Sequence, residues 1–277
     1  MKGRNIILAG VARSGSTLVC HMLNKTNHTV ALHEPIQPSM VPISSQEESI
    51  QFLQNFFLEQ RQSILKYGVA SSSSMDGKVP DNHVGNFNCN TGKRIVLLNG
   101  SEIKIDKSLD RDFSLVVKQP GLFTAMLGAF KACFTCYATI RNPLAVLRSW
   151  NSVDMAVTNG HAPAAEDRDP QLKKALTLEP DKYKRQLVLL SWYFEQYYNH
   201  LTEQQIIRYE EVVSTGGKNL SCISSSALLL NEKLTNKNNN DLYDDSIKSD
   251  LAERLLDSDG FYWKYYSKQD VLSLLIS

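Results

Sequence analysis

A glycine- and serine-rich run, Gly10-Val11-Ala12-Arg13-Ser14-Gly15-Ser16-Thr17, follows the apolar residues 6–8. It precedes a stretch in which Leu18, Val19, Met22 and Leu23 recur at helical spacing. A strand, a loop and a helix in that order build an anion cradle, because loop amides and a helix N-terminus point at one place. Gly10, Gly15 and Thr17 match the triphosphate-binding pattern G-x-x-x-x-G-K-[ST], but Ser16 stands where its lysine belongs. The cation sits at Arg13 instead. The loop keeps an anion site with an arginine on it and argues against ATP or GTP hydrolysis. Two other strand ends carry charge: Ile140-Arg141-Asn142-Pro143, with Arg148-Ser149 two turns on, and Ile207-Arg208-Tyr209-Glu210-Glu211. Arg141 and Ser149 are placed to converge on a second, separate phosphate. Lys118 follows the apolar Leu115-Val116-Val117 and is expected at the same sheet edge.

These groups need a scaffold, and the pattern of the chain supplies one. A short strand over 29–32 ends at His33-Glu34-Pro35, and apolar spacing predicts a helix over 47–66. The region around 68–92, with Ser71-Ser72-Ser73-Ser74, Asp76-Gly77 and Pro80, reads as a mobile surface insertion. Segments 95–98 and 103–105 flank Asn99-Gly100, a hairpin signal. Strands are expected over 113–117, 133–140 and 205–209, and helices over 122–130, after Pro143, over 181–200, 247–256 and 269–275. Residues 231–240 are polar and Asn-rich, a loop. Strands alternating with helices imply a single α/β domain with a mainly parallel sheet flanked by helices and a P-loop-like anion loop. In such sheets the ligand lies at the carboxyl ends of the strands.

Composition bounds the function. At 277 residues and 42% hydrophobic, the chain can bury one full core over 1–277. A net charge of +1 makes no case for nucleic acid or an anionic membrane surface. No apolar run approaches a membrane span, and the apolar residues Ile6 to Leu8 are too few for a signal-peptide core. Five irregularly spaced cysteines fit a reduced, cytoplasmic protein. Cys133 and Cys136, three residues apart in a β-rich run, face opposite sides and read as packing rather than as a redox or metal pair.

Taken together, the three motifs resemble the sulfotransferases that use 3′-phosphoadenosine 5′-phosphosulfate (PAPS). Their 5′-phosphosulfate loop resembles Arg13-Ser14-Gly15-Ser16-Thr17. Their 3′-phosphate motif, an R-N-P start with a serine eight residues after the arginine, is similar to residues 141–149. Their R-Y-E-D-L segment is similar to Arg208-Tyr209-Glu210-Glu211-Val212, and the order and separations agree over about residues 5–215. The resemblance implies PAPS as co-substrate, adenosine 3′,5′-bisphosphate as product, and no obligatory metal. It implies a hydroxyl or amine acceptor on a small molecule, carbohydrate or lipid. Tyr209 would border the adenine or lie in the core. The family's C-terminal lid has two candidates here, Asn236-Lys237-Asn238 and residues 259–264, with Lys237 as the cation.

Lys118 would stabilise the transferring sulfuryl oxygens, and Arg13 the bridging oxygen. Some members use a histidine shortly after the strand-end lysine, and Lys118-Gln119-Pro120 has none. Glu34 is therefore the expected base, as in the carbohydrate and protein-tyrosine branches, with His33 as its alternative. Two other classes remain open from sequence. One is a P-loop small-molecule kinase, which needs a lysine at position 16 and a carboxylate-terminated strand. The other is a non-catalytic nucleotide-binding protein on the same fold.

Overall fold

The computed structural model describes residues 3–88, 90 and 92–276. Nine strands occur in it: β1 (Asn5–Gly10), β2 (Thr29–His33), β3 (Val69–Ser74), β4 (Val84–Phe87), β5 (Arg94–Val96), β6 (Gly100–Lys104), β7 (Ser114–Lys118), β8 (Thr135–Ile140) and β9 (Ile206–Arg208). Ile6, Ile7, Leu8 and Ala9 have no exposed surface. A strand apolar on both faces must be covered on both, which puts β1 at the centre of a parallel sheet. The order is β2-β7-β1-β8-β9, every neighbour parallel. The protein is a single α/β domain whose helices flank this sheet, as its sequence pattern implies.

Parallel register brings all five carboxyl ends to one edge. His33 and Leu8 each lie opposite Lys118, Gly10 lies opposite Thr139, and Ile140 opposite Arg208. The chain leaves β1 toward β2 on one side, while β8 and β9 extend the sheet on the other. A crevice therefore opens beyond the end of β1, the switch point where such sheets hold ligands. Gly10 is required there, because a Cβ on it would stand 2.1 Å from Thr139 Oγ1.

The helices start and stop on local signals. The helix Gln46–Tyr67 begins with Ser45 Oγ accepting from the Glu48 amide at 3.0 Å, and ends at Gly68 in the left-handed conformation. Asn142 caps Pro143–Asn151, and Asp181 caps Lys182–His200. No described helix is long and apolar enough to cross a membrane. Cys20, Cys133, Cys136 and Cys222 are free thiols, with Cys136 buried and Cys133 exposed. Cys89 lies outside the described residues.

The hairpin expected around Asn99-Gly100 does not form. β5 pairs with β4 and β6 pairs with β3, both antiparallel, so the chain changes partner at this dipeptide. Asn99 is held there by Asp76, donating to its carboxylate and accepting from its amide at 3.0 Å each. Gly100 enters β6 directly, and a Cβ on it would meet Ser74 Oγ at 2.5 Å. The serine run read as part of an insertion is strand β3. Its Ser72 Oγ accepts from the His33 amide at 2.9 Å, and Ser73 Oγ donates to the Glu34 carbonyl at 3.2 Å. The insertion thus braces the end of β2.

Candidate active site

The loop after β1 is fixed from outside. Val11 N donates to the Thr139 carbonyl at 3.0 Å, and the Trp150 indole donates to the Ala12 carbonyl at 2.8 Å. Arg13 (φ 68°) and Gly15 (φ 89°) both take the left-handed conformation, which turns the chain sharply into the helix Ser16–Leu23. No side chain caps that helix, so its first amides are left open toward the crevice. Gly15 has a double reason to be glycine: its φ, and the Tyr209 ring 2.6 Å from where a Cβ would sit. Gly15→Ala is expected to lower stability by roughly 2 kcal/mol, read from the urea midpoint. An unchanged midpoint would mean that the loop relaxes freely.

Ser14 does not face the crevice. Its Oγ reaches the Thr139 carbonyl at 3.0 Å and Thr139 Oγ1 at 2.7 Å, and its amide donates to Val11 O. It anchors the loop to β8. Thr17 does line the crevice, but its hydroxyl lies between two imidazoles, 3.2 Å from His33 Nε2 and 3.0 Å from His83 Nδ1. A hydroxyl donates one proton, so one ring accepts from Thr17 and the other donates to it. Burial, then the Lys118 ammonium, pushes His33 down to about 3. His83 is also lowered by burial and then by Arg13. Both rings are neutral.

Lys118 and Glu34 form an ion pair at the ends of β7 and β2. Lys118 is 2% exposed, whereas the Glu34 side chain is 38% exposed. Burial opposes ionisation of Glu34, but the Lys118 ammonium, which also donates a hydrogen bond to it, and Arg13 outweigh it and hold its pKa below 4.5. Glu34 has φ 44°, fixed by its amide on the Lys118 carbonyl at 2.9 Å and by Ser73 on its own carbonyl. A carboxylate kept in this strained conformation by neighbours on both sides is what a functional position looks like. Glu34 and Lys118 both line the crevice, whereas His33 is fully buried behind Thr17.

Arg141 leaves β8 with its guanidinium 4.4 Å from the centre of the Tyr209 ring. Its Nε donates to Asn238 Oδ1 at 2.7 Å, and another nitrogen donates to the Lys237 carbonyl. Glu210 ties this corner together: its carboxylate accepts from the Asn142 amide, Asn238 Nδ2 and the Tyr266 hydroxyl, each at 2.9 Å. Ser149 is fully buried, and Arg13 Nε donates to its Oγ at 3.3 Å. Arg13 and Ser149, expected from sequence at two separate anion sites, are thus joined directly by a hydrogen bond. Burial lowers Arg13 to about 10, with Arg94 and Arg141 adding to the fall and Tyr243 opposing it.

These groups enclose one cavity of about 340 Å³. Arg13, Gly15, Ser16, Thr17, Glu34, Lys118, Arg141, Tyr209 and Lys237 line it; Ser14, His33 and Ser149 do not, and are buried behind the lining residues Thr17 and Arg13 or against Thr139. Of the two lid candidates, the Lys237 segment borders the cavity. Residues 259–264 instead pack beside the helix Lys182–His200, where the Phe261 amide donates to Ser191 Oγ at 3.0 Å. Sequence reasoning missed His83, Arg94 and Tyr243, all on the cavity wall. Each comes from a segment with no motif, and their signal was composition alone: an isolated histidine, arginine and tyrosine in loop-like stretches.

No family model matches the chain, and no curated protein matches it in sequence. Among solved structures it is similar to the crystal structure of the sulfotransferase STF1 from Mycobacterium tuberculosis H37Rv (type1 form), with 13% identity. The match covers 92% of this chain and 77% of that one, at a TM-score of 0.36. So loose a likeness assigns no reaction.

Proposed function

We propose that this protein is a PAPS-dependent sulfotransferase, moving a sulfuryl group to the hydroxyl or amine of a small-molecule, carbohydrate or lipid acceptor. The observation that carries this reading is the buried positive charge around a single cavity. Arg13, Arg94 and Arg141 line it, and among the described residues none of the three forms an ion pair with a carboxylate. Unpaired buried charge is costly, so such a cavity is suited to a polyanion. Open helix amides at one end and guanidinium groups at the other fit a nucleotide with two separate anionic ends.

In this reading the loop amides and Arg13 bind the phosphosulfate, and Arg141, backed by Ser149, binds the 3′-phosphate. The donor supplies an activated S–O bond. Glu34 accepts the acceptor's proton as the acceptor oxygen bonds to sulfur. The broken S–O bond leaves its electron pair on the nucleotide, beside Arg13 and Lys118, which offset the developing charge. Tyr209 holds Arg141 in place by stacking. Lys237 borders the nucleotide from the C-terminal segment. A kinase reading is weaker, because the ends of β7 and β8 carry Lys118 and Arg141 where a magnesium-binding carboxylate would be wanted.

Calorimetric titration is the direct test. Adenosine 3′,5′-bisphosphate is expected to bind at least tenfold tighter than AMP or ADP, a gap of about 1.4 kcal/mol. Arg141→Ala should erase most of that preference with the fold intact. Equal affinities in the unmutated protein would remove the basis for PAPS as donor.

A further inference from the structure

Arg94 belongs to none of the three motifs, yet it is 2% exposed on the cavity wall. Its backbone is fixed from both directions: Arg94 N donates to the Ser152 carbonyl at 2.9 Å, and Asp154 N donates to the Arg94 carbonyl at 3.0 Å. One guanidinium nitrogen donates to Ser152 Oγ at 2.8 Å, while Nε is buried with no hydrogen-bond partner. The nearby Arg148 is paired with a carboxylate, Asp245, at 2.5 Å. Arg94 has none among the described residues.

What stands against Arg94 is a phenol. Its Cζ lies 5.6 Å from the centre of the Tyr243 ring, and Tyr243 is 6% exposed on the same wall. Burial raises the phenol's pKa, but Arg141, the Ser149 hydroxyl, Arg13 and Arg94 outweigh it and leave it lowered. Tyr243 is therefore a group that several guanidinium groups face in common. A neutral hydroxyl is a poor partner for that much charge, and a phosphate dianion is a good one, since charge-assisted bonds to guanidinium are about twice as strong as neutral ones.

We propose that Arg94 binds the nucleotide's second phosphate, together with Arg141, and that the Tyr243 hydroxyl holds this place until the phosphate displaces it. This rests on the nucleotide reading of the cavity, and it adds a residue from β5 that determines which nucleotide is preferred.

The test titrates the full chain with adenosine 3′,5′-bisphosphate and with AMP at one fixed salt concentration. Arg94→Met keeps length and removes charge. It should weaken bisphosphate by about 10- to 100-fold, the scale for a hydrogen bond to a charged group, and AMP by less than about threefold. Arg94→Lys should restore part of the preference, and Tyr243→Phe should tighten bisphosphate, because no hydroxyl then competes. Thermal unfolding of each variant monitors the fold; if Arg94→Met is unfolded, Arg94→Lys and Tyr243→Phe carry the comparison. Unmutated protein that prefers bisphosphate, with Arg94→Met keeping that preference, overturns the role of Arg94 and spares the donor reading. Equal loss toward both ligands overturns it too, assigning Arg94 to the wall as a whole. No preference in the unmutated protein overturns both.

Discussion

Glu34→Gln is expected to leave nucleotide affinity within about threefold and to lower sulfuryl transfer by about 10²- to 10⁴-fold. The substitution keeps size and hydrogen bonding but takes away the proton acceptor. Glu34 is on the cavity wall, in contact with Lys118, and fixed in a left-handed conformation by the Lys118 carbonyl and Ser73. Lys118 and Arg13 hold its pKa below 4.5, so the carboxylate is ionised at neutral pH. The sign for stability follows from that depressed pKa. The ion pair's contribution is fully present above pH 4.5 and is lost as pH falls through the folded-state value. Glu34→Gln should flatten that acid limb. Transfer rates that match the unmutated protein would take the base role away from Glu34. His33, buried behind Thr17, is not placed to inherit it.

Lys118→Ala, and separately Arg13→Ala, should each lower turnover by roughly a hundredfold or more, the scale for losing one aligned charge stabiliser. The loss is expected in kcat, because in the proposed reaction these groups meet charge that develops as the S–O bond breaks. Lys118 is suited to this by its position at the end of β7 and by burial that excludes water from its ammonium. Arg13→Ala should in addition weaken bisphosphate binding, since its guanidinium also reaches Ser149. Near-normal turnover in both variants, measured with an identified acceptor, would leave the loop amides as sufficient on their own.

The parts of this site that sequence revealed are those where backbone geometry and chemistry coincide. A strand, a Gly-x-x-x-x-Gly loop and a helix are local, and so is a strand ending in Arg-Asn-Pro. Tyr209 and Glu210 were legible as part of a motif, although what they do, stacking on Arg141 and tying Asn142 to Asn238, was not. Ser14 and Thr17 show the limit of motif reading. Both carry the expected hydroxyl, but tertiary partners decide where it points, Thr139 for one and two histidines for the other. The Asn99-Gly100 hairpin failed for a related reason: turn propensity says that the chain can reverse there, while pairing with β3 and β4 decides whether it does. His83, Arg94 and Tyr243 reach the cavity through pairings that no local pattern encodes.

The central position of β1 carries a consequence for how the molecule comes into being. Its four fully buried residues, Ile6 to Ala9, are paired on one side by β7 and on the other by β8. Both partners are made more than a hundred residues later, so a growing chain carries an apolar strand with two open edges until β7 is made, and with one open edge until β8 follows. Such non-local parallel pairing is slow and exposed to aggregation. The cavity waits longer still, because Lys237 and Tyr243 close it from beyond β9. Chains halted before that segment contain every strand of the five-stranded sheet and still lack part of the cavity wall, so the sheet and the cavity are supplied at different points of synthesis.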